Sequence, residues 1–130
     1  MTSVSGEHWA SRQFMAGFYL AIALIVAAKA ARTVGVSAGG LVDVLPSLGF
    51  SLALTFLFAR RNSPRAASLV ALAAGVVYEL SQLRVSPWFD SLGRTFDALD
   101  LVASLVGAAI GYRVVQWIRN RKATTVQGAA

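Results

Sequence analysis

The chain has 130 residues, 56% hydrophobic and only 14% charged, with a formal net charge of +6. A soluble domain this short buries only about two-thirds of its surface and needs polar residues for the rest, which this composition does not supply. The absence of cysteine excludes disulfides, thiolate metal sites and a cysteine nucleophile, and basic residues that flank apolar runs instead of interleaving with aromatics speak against nucleic acid as a partner.

The first predicted element follows a polar leader, Met1–Gln13, which contains Glu7, His8 and Arg12. From Phe14 to Ala28 there is no charge, and this predicts a membrane span over about 14–31, closed by Lys29 and Arg32. Ala28-Lys29-Ala30 loosely imitates a signal-peptide cleavage site, but the lysine within it and the further apolar runs favour an uncleaved anchor. His8, the only histidine, sits beside Glu7 in the leader and reads as solvated.

A second span is predicted over 42–59, with Asp43 suited to the N-cap and Pro46 to the first turn. Arg60-Arg61-Asn62-Ser63-Pro64-Arg65 breaks it with charge and a Ser-Pro turn. The third span, 66–83, is interrupted by one charge, Glu79, and the loop from Arg84 to Thr95 carries a Trp88-Phe89 pair suited to the headgroup layer. The fourth span is predicted over 97–118, with Arg113 near enough to its end to snorkel, and Arg119, Arg121 and Lys122 open a basic tail, 119–130, that reads as disordered. The expected fold is thus all-α: a single integral membrane four-helix bundle of antiparallel spans.

Four crossings would place Arg12, Arg60, Arg61, Arg65, Arg113, Arg119, Arg121 and Lys122 on one side and Lys29, Arg32, Arg84 and Arg94 on the other. This bias puts both termini in the cytoplasm. The acids divide the other way, with Asp43, Glu79, Asp90, Asp97 and Asp100 at or near the outer face.

Small residues recur every fourth position in the third span, at Ala67, Ala71 and Gly75, and the row ends on Glu79. In the fourth span Asp100, Ser104, Gly107 and Gly111 share a face, the last two forming a GxxxG motif. Such faces let membrane helices approach closely, here with either the third span or a second copy of the chain as partner. If the third and fourth spans pack through them, Glu79 and Asp100 meet at similar depth, with Gln82, Arg94 and Asp97 nearby. Asp97 and Asp100 also suit a helix N-terminus, where the macrodipole favours anions. Glu79 falls in a last turn, where the dipole disfavours an anion, and it needs a proton or a cation such as Arg94 or Arg84. A structural salt bridge and a functional site both remain open for it.

Glu79-Leu-Ser-Gln82, followed by Arg94-Thr-Phe-Asp97-Ala-Leu-Asp100 and then Ser104, Gly107 and Gly111, resembles the signature of VanZ-like membrane proteins, and Asp43-Val-Leu-Pro46 is similar to that family's upstream segment. Ser104 stands where the family commonly has Asn, and the stretch between Gln82 and Arg94 is longer than usual. The resemblance covers Asp43 to Gly111 and implies a multi-span protein of the bacterial cytoplasmic membrane, with a namesake linked to resistance against the glycopeptide teicoplanin. It implies Glu79, Gln82, Arg94, Asp97 and Asp100 as the shared polar site and supplies no reaction.

The leading expectation is a non-catalytic envelope protein, without cofactor or bound metal, whose outward polar cluster recognises a cell-wall precursor or lipid headgroup. Gly75, Ser104, Gly107 and Gly111 serve helix packing, with self-association through the GxxxG face as one option. The alternatives are an intramembrane enzyme on a lipid-linked substrate, with Asp97 and Asp100 on a divalent cation, and a small proton- or ion-coupled carrier through Glu79. Orientation is directly testable in this cysteine-free chain. In intact cells an impermeant thiol reagent should label S47C and S86C and not S63C; labelling of S63C alone would invert the topology.

Overall fold

A computed structural model describes residues 4–35, 41–83 and 98–128. The described residues form four α-helices and no strand: α1 (Val4–Thr33), α2 (Leu41–Ala59), α3 (Pro64–Leu83) and α4 (Ala98–Gly128). Three of them are long and apolar enough to cross a membrane, over His8–Thr33, Val42–Ala59 and Ala98–Thr125. Their outer faces carry large apolar side chains such as Leu20, at 72% exposure, and those of α3 do the same, with Leu69 and Val77 at 65%. An apolar exterior on this scale calls for an apolar solvent, and the architecture is that of an all-α membrane protein.

Helix α1 has 30 residues and is about 45 Å long, more than the roughly 30 Å of a hydrocarbon core. It absorbs most of the expected leader, because no proline breaks the segment and it is anchored from Ala10 onward. Ala10 and Phe14 are buried in the main apolar cluster with Phe56, Ala59, Ala67, Val115 and Ile118. At its other end Gly35, at φ +77°, takes the left-handed conformation that closes a helix, and its N–H reaches the Arg32 carbonyl at 3.2 Å.

Helix α2 begins before the expected cap. Asp43 lies in its first turn and Pro46 inside the helix. Asp43 instead pairs with Arg32 of α1 at 3.0 Å, a bridge more than half exposed on both sides and therefore a weak contributor. The α2–α3 turn is built from local bonds. Asn62 closes α2 by donating from its backbone N and its Nδ2 to the Phe58 carbonyl, at 3.1 and 3.0 Å. Ser63 Oγ then accepts from Ala66 N at 3.2 Å, an N-cap with Pro64 as the first helical residue.

The tail expected to be disordered is helical: α4 continues ten residues past Ile118, through Gly128. No glycine or proline intervenes between Tyr112 and Gln127, and Arg121 stacks its guanidinium over Trp117 at 4.1 Å. The drop in hydropathy after Ile118 therefore does not mark the end of the helix.

Helix α2 is the hub: it packs against each of the others, α3 also packs on α4, and α1 touches α4 lightly. Glycines set the closest approaches. A methyl group at Gly107 would run into the Leu48 carbonyl oxygen of α2, and one at Gly111 would stand 2.8 Å from Thr55. The GxxxG face thus meets α2, a partner different from the third span or second copy considered from sequence. Both glycines are buried, so self-association through this face would first have to displace α2.

Gly107→Ala must push backbone against backbone, and the expected loss is about 1–3 kcal/mol, as for other overpacked cores. Gly128, with nothing within 4 Å, provides the control. In detergent, G107A should unfold at lower temperature or denaturant than the parent and G128A should not; equal stability of the two would remove the close α2–α4 approach.

Candidate functional site

The every-fourth-residue row on α3 faces inward along its whole length. Ala67 and Ala71 are fully buried, Gly75 is buried, and Glu79 is 1% exposed. Since Gly75 has no side chain, Ser104 of α4 comes so near that an added Cβ would lie 3.2 Å from it. One turn onward in α3 stands Glu79, and one turn back in α4 stands Asp100. The Gly75–Ser104 contact therefore puts the two carboxyl groups at the same level of the bundle.

Helix α2 supplies the third wall. Ser47 Oγ donates to Asp100 Oδ1 at 3.0 Å. Below it, Ser51 and Thr55 are fully buried where α2 meets the glycine face of α4, and Thr55 Oγ1 donates to the Ser51 carbonyl at 2.9 Å. Ser51 Oγ has no hydrogen-bond partner among the described residues. The result is a polar seam within an apolar bundle: hydroxyls at every fourth position of α2, the face of Asp100 and Ser104 on α4, and Glu79 at the end of the α3 row.

Of the residues the sequence singles out for binding, the structure gives Glu79 and Asp100 a common level. Gln82 lies in α3 but its side chain is outside the described residues, as are Arg94 and Asp97 entirely. Of the packing residues, Gly75 and Ser104 meet each other, while Gly107 and Gly111 meet α2. Sequence reasoning missed Ser47, Ser51 and Thr55, although their spacing of four in an otherwise apolar helix was a visible signal. Among the described residues no three His, Cys, Asp or Glu side chains gather as a metal site.

Chemically the seam is rich in acceptors. Carboxylate oxygens accept from ammonium, hydroxyl or amide donors, and such charge-assisted bonds are roughly twice as strong as neutral ones. A carboxyl group buried as deeply as Glu79 must share its site with protons, dipoles or cations. No protein-family model matches the chain, and no curated protein or solved structure does either.

The two α2 hydroxyls should respond in opposite directions to alanine. Ser47→Ala removes the bond to Asp100 and is expected to lower stability by about 1 kcal/mol or less, the usual range for such bonds within membranes. Ser51→Ala keeps the Cβ that touches the glycine face and removes a desolvated hydroxyl, so it should be neutral or stabilising. Denaturation in mixed micelles reads both; a larger loss for S51A than for S47A would contradict the assignment.

Proposed function

We propose that the protein is a VanZ-like, four-span protein of the bacterial cytoplasmic membrane that recognises the polar headgroup of a cell-wall precursor or lipid at its outer face. The spans are antiparallel and both termini lie in the cytoplasm. Contacts at the two ends of the bundle support this arrangement. Arg32, at the end of α1, pairs with Asp43 at the start of α2, whereas Arg60, just after α2, donates to Ser11 near the start of α1. The Arg60 end also holds Arg61, Arg65, Arg119, Arg121 and Lys122, the concentration of positive charge that favours the cytoplasmic side.

The observation that carries the reading is the near-complete burial of Glu79 within an apolar helix, at the level of a second carboxyl group held by Ser47. Carboxyl groups inside membrane helices are costly, and their usual justification is a ligand, an ion or a partner. At the outer end they would be met by the amine, hydroxyl and amide groups of lipid-linked wall precursors. Recognition there needs no nucleophile. A protein that held such a headgroup would compete with, or shield it from, an antibiotic directed at the same group.

Glu79→Gln and Asp100→Asn preserve shape while removing charge. Each should reduce glycopeptide tolerance of cells expressing the chain, with about a tenfold weaker hold on the headgroup for roughly 1.4 kcal/mol lost. Membrane abundance, followed by immunoblot, should stay level. If tolerance and abundance fall together in both variants, the carboxyl groups serve the fold alone.

A further inference from the structure

At the end of the bundle remote from Glu79 lies a groove of about 650 Å³, within the range of roughly 300–1,000 Å³ typical of small-ligand sites. Three helices build it. Phe14 of α1 and Ala59 of α2, 3% and 0% exposed, belong to its apolar lining, and Arg60, Arg119 and Lys122 bring three positive charges to it. No acidic side chain lines it among the described residues, where the ion pair present, Arg32–Asp43, is at the opposite end.

Two of the cations are held, not merely crowded. Arg119 Nη2 donates to the carbonyl oxygens of Ala59, at 2.8 Å, and Asn62, and its guanidinium lies 5.9 Å from the Phe14 ring centre. This fixes the group at the C-terminal end of α2, where the helix dipole favours positive charge. Both Nη2 hydrogens are thereby engaged, while Nε and Nη1 bond nothing among the described residues. Arg60 is fixed through Nε, which donates to Ser11 Oγ at 3.2 Å, and keeps its two terminal NH₂ groups. Arginine forks with donors to spare match the geometry of phosphate oxygens.

The level of the groove indicates where the phosphate comes from. Trp9 and Trp117, 42% and 54% exposed, stand on α1 and α4 beside His8 and Ile118, and indole rings favour the headgroup boundary. We propose that this groove binds the phosphate of an anionic phospholipid in the cytoplasmic leaflet. The inference rests on the membrane reading above and is separate from recognition at the outer face. The shared chemistry, a phosphate group, could also arrive as the free ion, and the experiment distinguishes the two.

The full chain, purified in detergent, is titrated with phosphatidylglycerol, phosphatidylcholine or inorganic phosphate and read by native mass spectrometry. Phosphatidylglycerol should bind roughly tenfold or more tightly than phosphatidylcholine, and inorganic phosphate far more weakly than either. The R60Q/K122Q double variant should lose the preference, while R61Q/R65Q, with the same change of charge outside the groove, should keep it. Arg119 is left intact because it also ties α4 to the end of α2, and circular dichroism checks that both doubles remain helical. Equal binding of the two lipids, equal loss in both doubles, or phosphate binding as tight as the lipid would each overturn the proposal. Release of the chain from membranes by an alkaline wash would instead end the membrane reading itself.

Discussion

The approach of α4 to α2 at Gly107 is the constraint on which the rest of the structure depends. In an apolar solvent, helices gain little from hiding leucine, since lipid tails are as apolar as the side chain. What holds them is fit, and fit is best where one backbone can lie against another. Gly107 touches the Leu48 and Ser51 region of α2, Gly111 touches Thr55, and one step toward the other end Ser47 donates to Asp100. These three contacts fall in one register along the same pair of helices. With that register set, Gly75 of α3 meets Ser104, and Glu79 reaches the level of Asp100. The hydroxyls of α2 then lie where α4 carries no side chain, which is why Ser51 and Thr55 are buried so completely.

Arg119 performs the same service at the far end. Its contact with the Ala59 and Asn62 carbonyls occupies oxygens that the end of α2 leaves open, and it ties α4 to the α2–α3 turn. Sequence alone reads this arginine as a signal that the span has ended. The structure gives it two further tasks, closing a neighbouring helix and presenting charge to a groove. The physical reason is reach: a guanidinium with five donors can bond carbonyls with one nitrogen and still offer others to solvent or ligand.

The four helices were legible in the sequence because long apolar runs bounded by charge have few other outcomes, and Ser63-Pro64 marked a helix start in the chemistry of its own side chains. Helix ends were less legible. Hydropathy reports where lipid stops, not where hydrogen bonding stops, so residues 4–13 and 119–128 were read as leader and tail although both are helical. The small-residue faces were visible at Gly75, Gly107 and Gly111, and Gly75 does meet the fourth span, but a glycine advertises a surface without naming its partner, and at Gly107 and Gly111 α2 answered where α3 or a second copy had been expected. Ser47, Ser51 and Thr55 escaped notice because a hydroxyl can satisfy itself within its own helix, as Thr55 does on the Ser51 carbonyl. Only the facing helix shows that their common face matters. Of the candidate site, Glu79 was legible as a charge that an apolar span must justify, and the register with Asp100 followed from the spacing of Gly75 and Ser104.

Charge is divided between the ends of the bundle in a way that no single contact requires. Asp43, Glu79 and Asp100 occupy one end, where Arg32 pairs with Asp43, and Arg60, Arg119, Arg121 and Lys122 the other. Glu79 is 1% exposed, while Arg60, Arg119 and Lys122 line an open groove, where an apolar lining would limit the hydration that competes with a bound phosphate. A carboxyl group buried this deeply would discriminate among donors by their fixed positions if it does meet a ligand. A rim of arginine and lysine would tolerate many phosphates and grip through charge. In the proposed topology the two ends would do different work, the cytoplasmic one holding the protein's position in the bilayer through lipid and the outer one discriminating among headgroups. The glycine contacts of α4 with α2 and α3 link the two, because a shift of α4 along its axis would disturb the Arg119 and Asp100 contacts together.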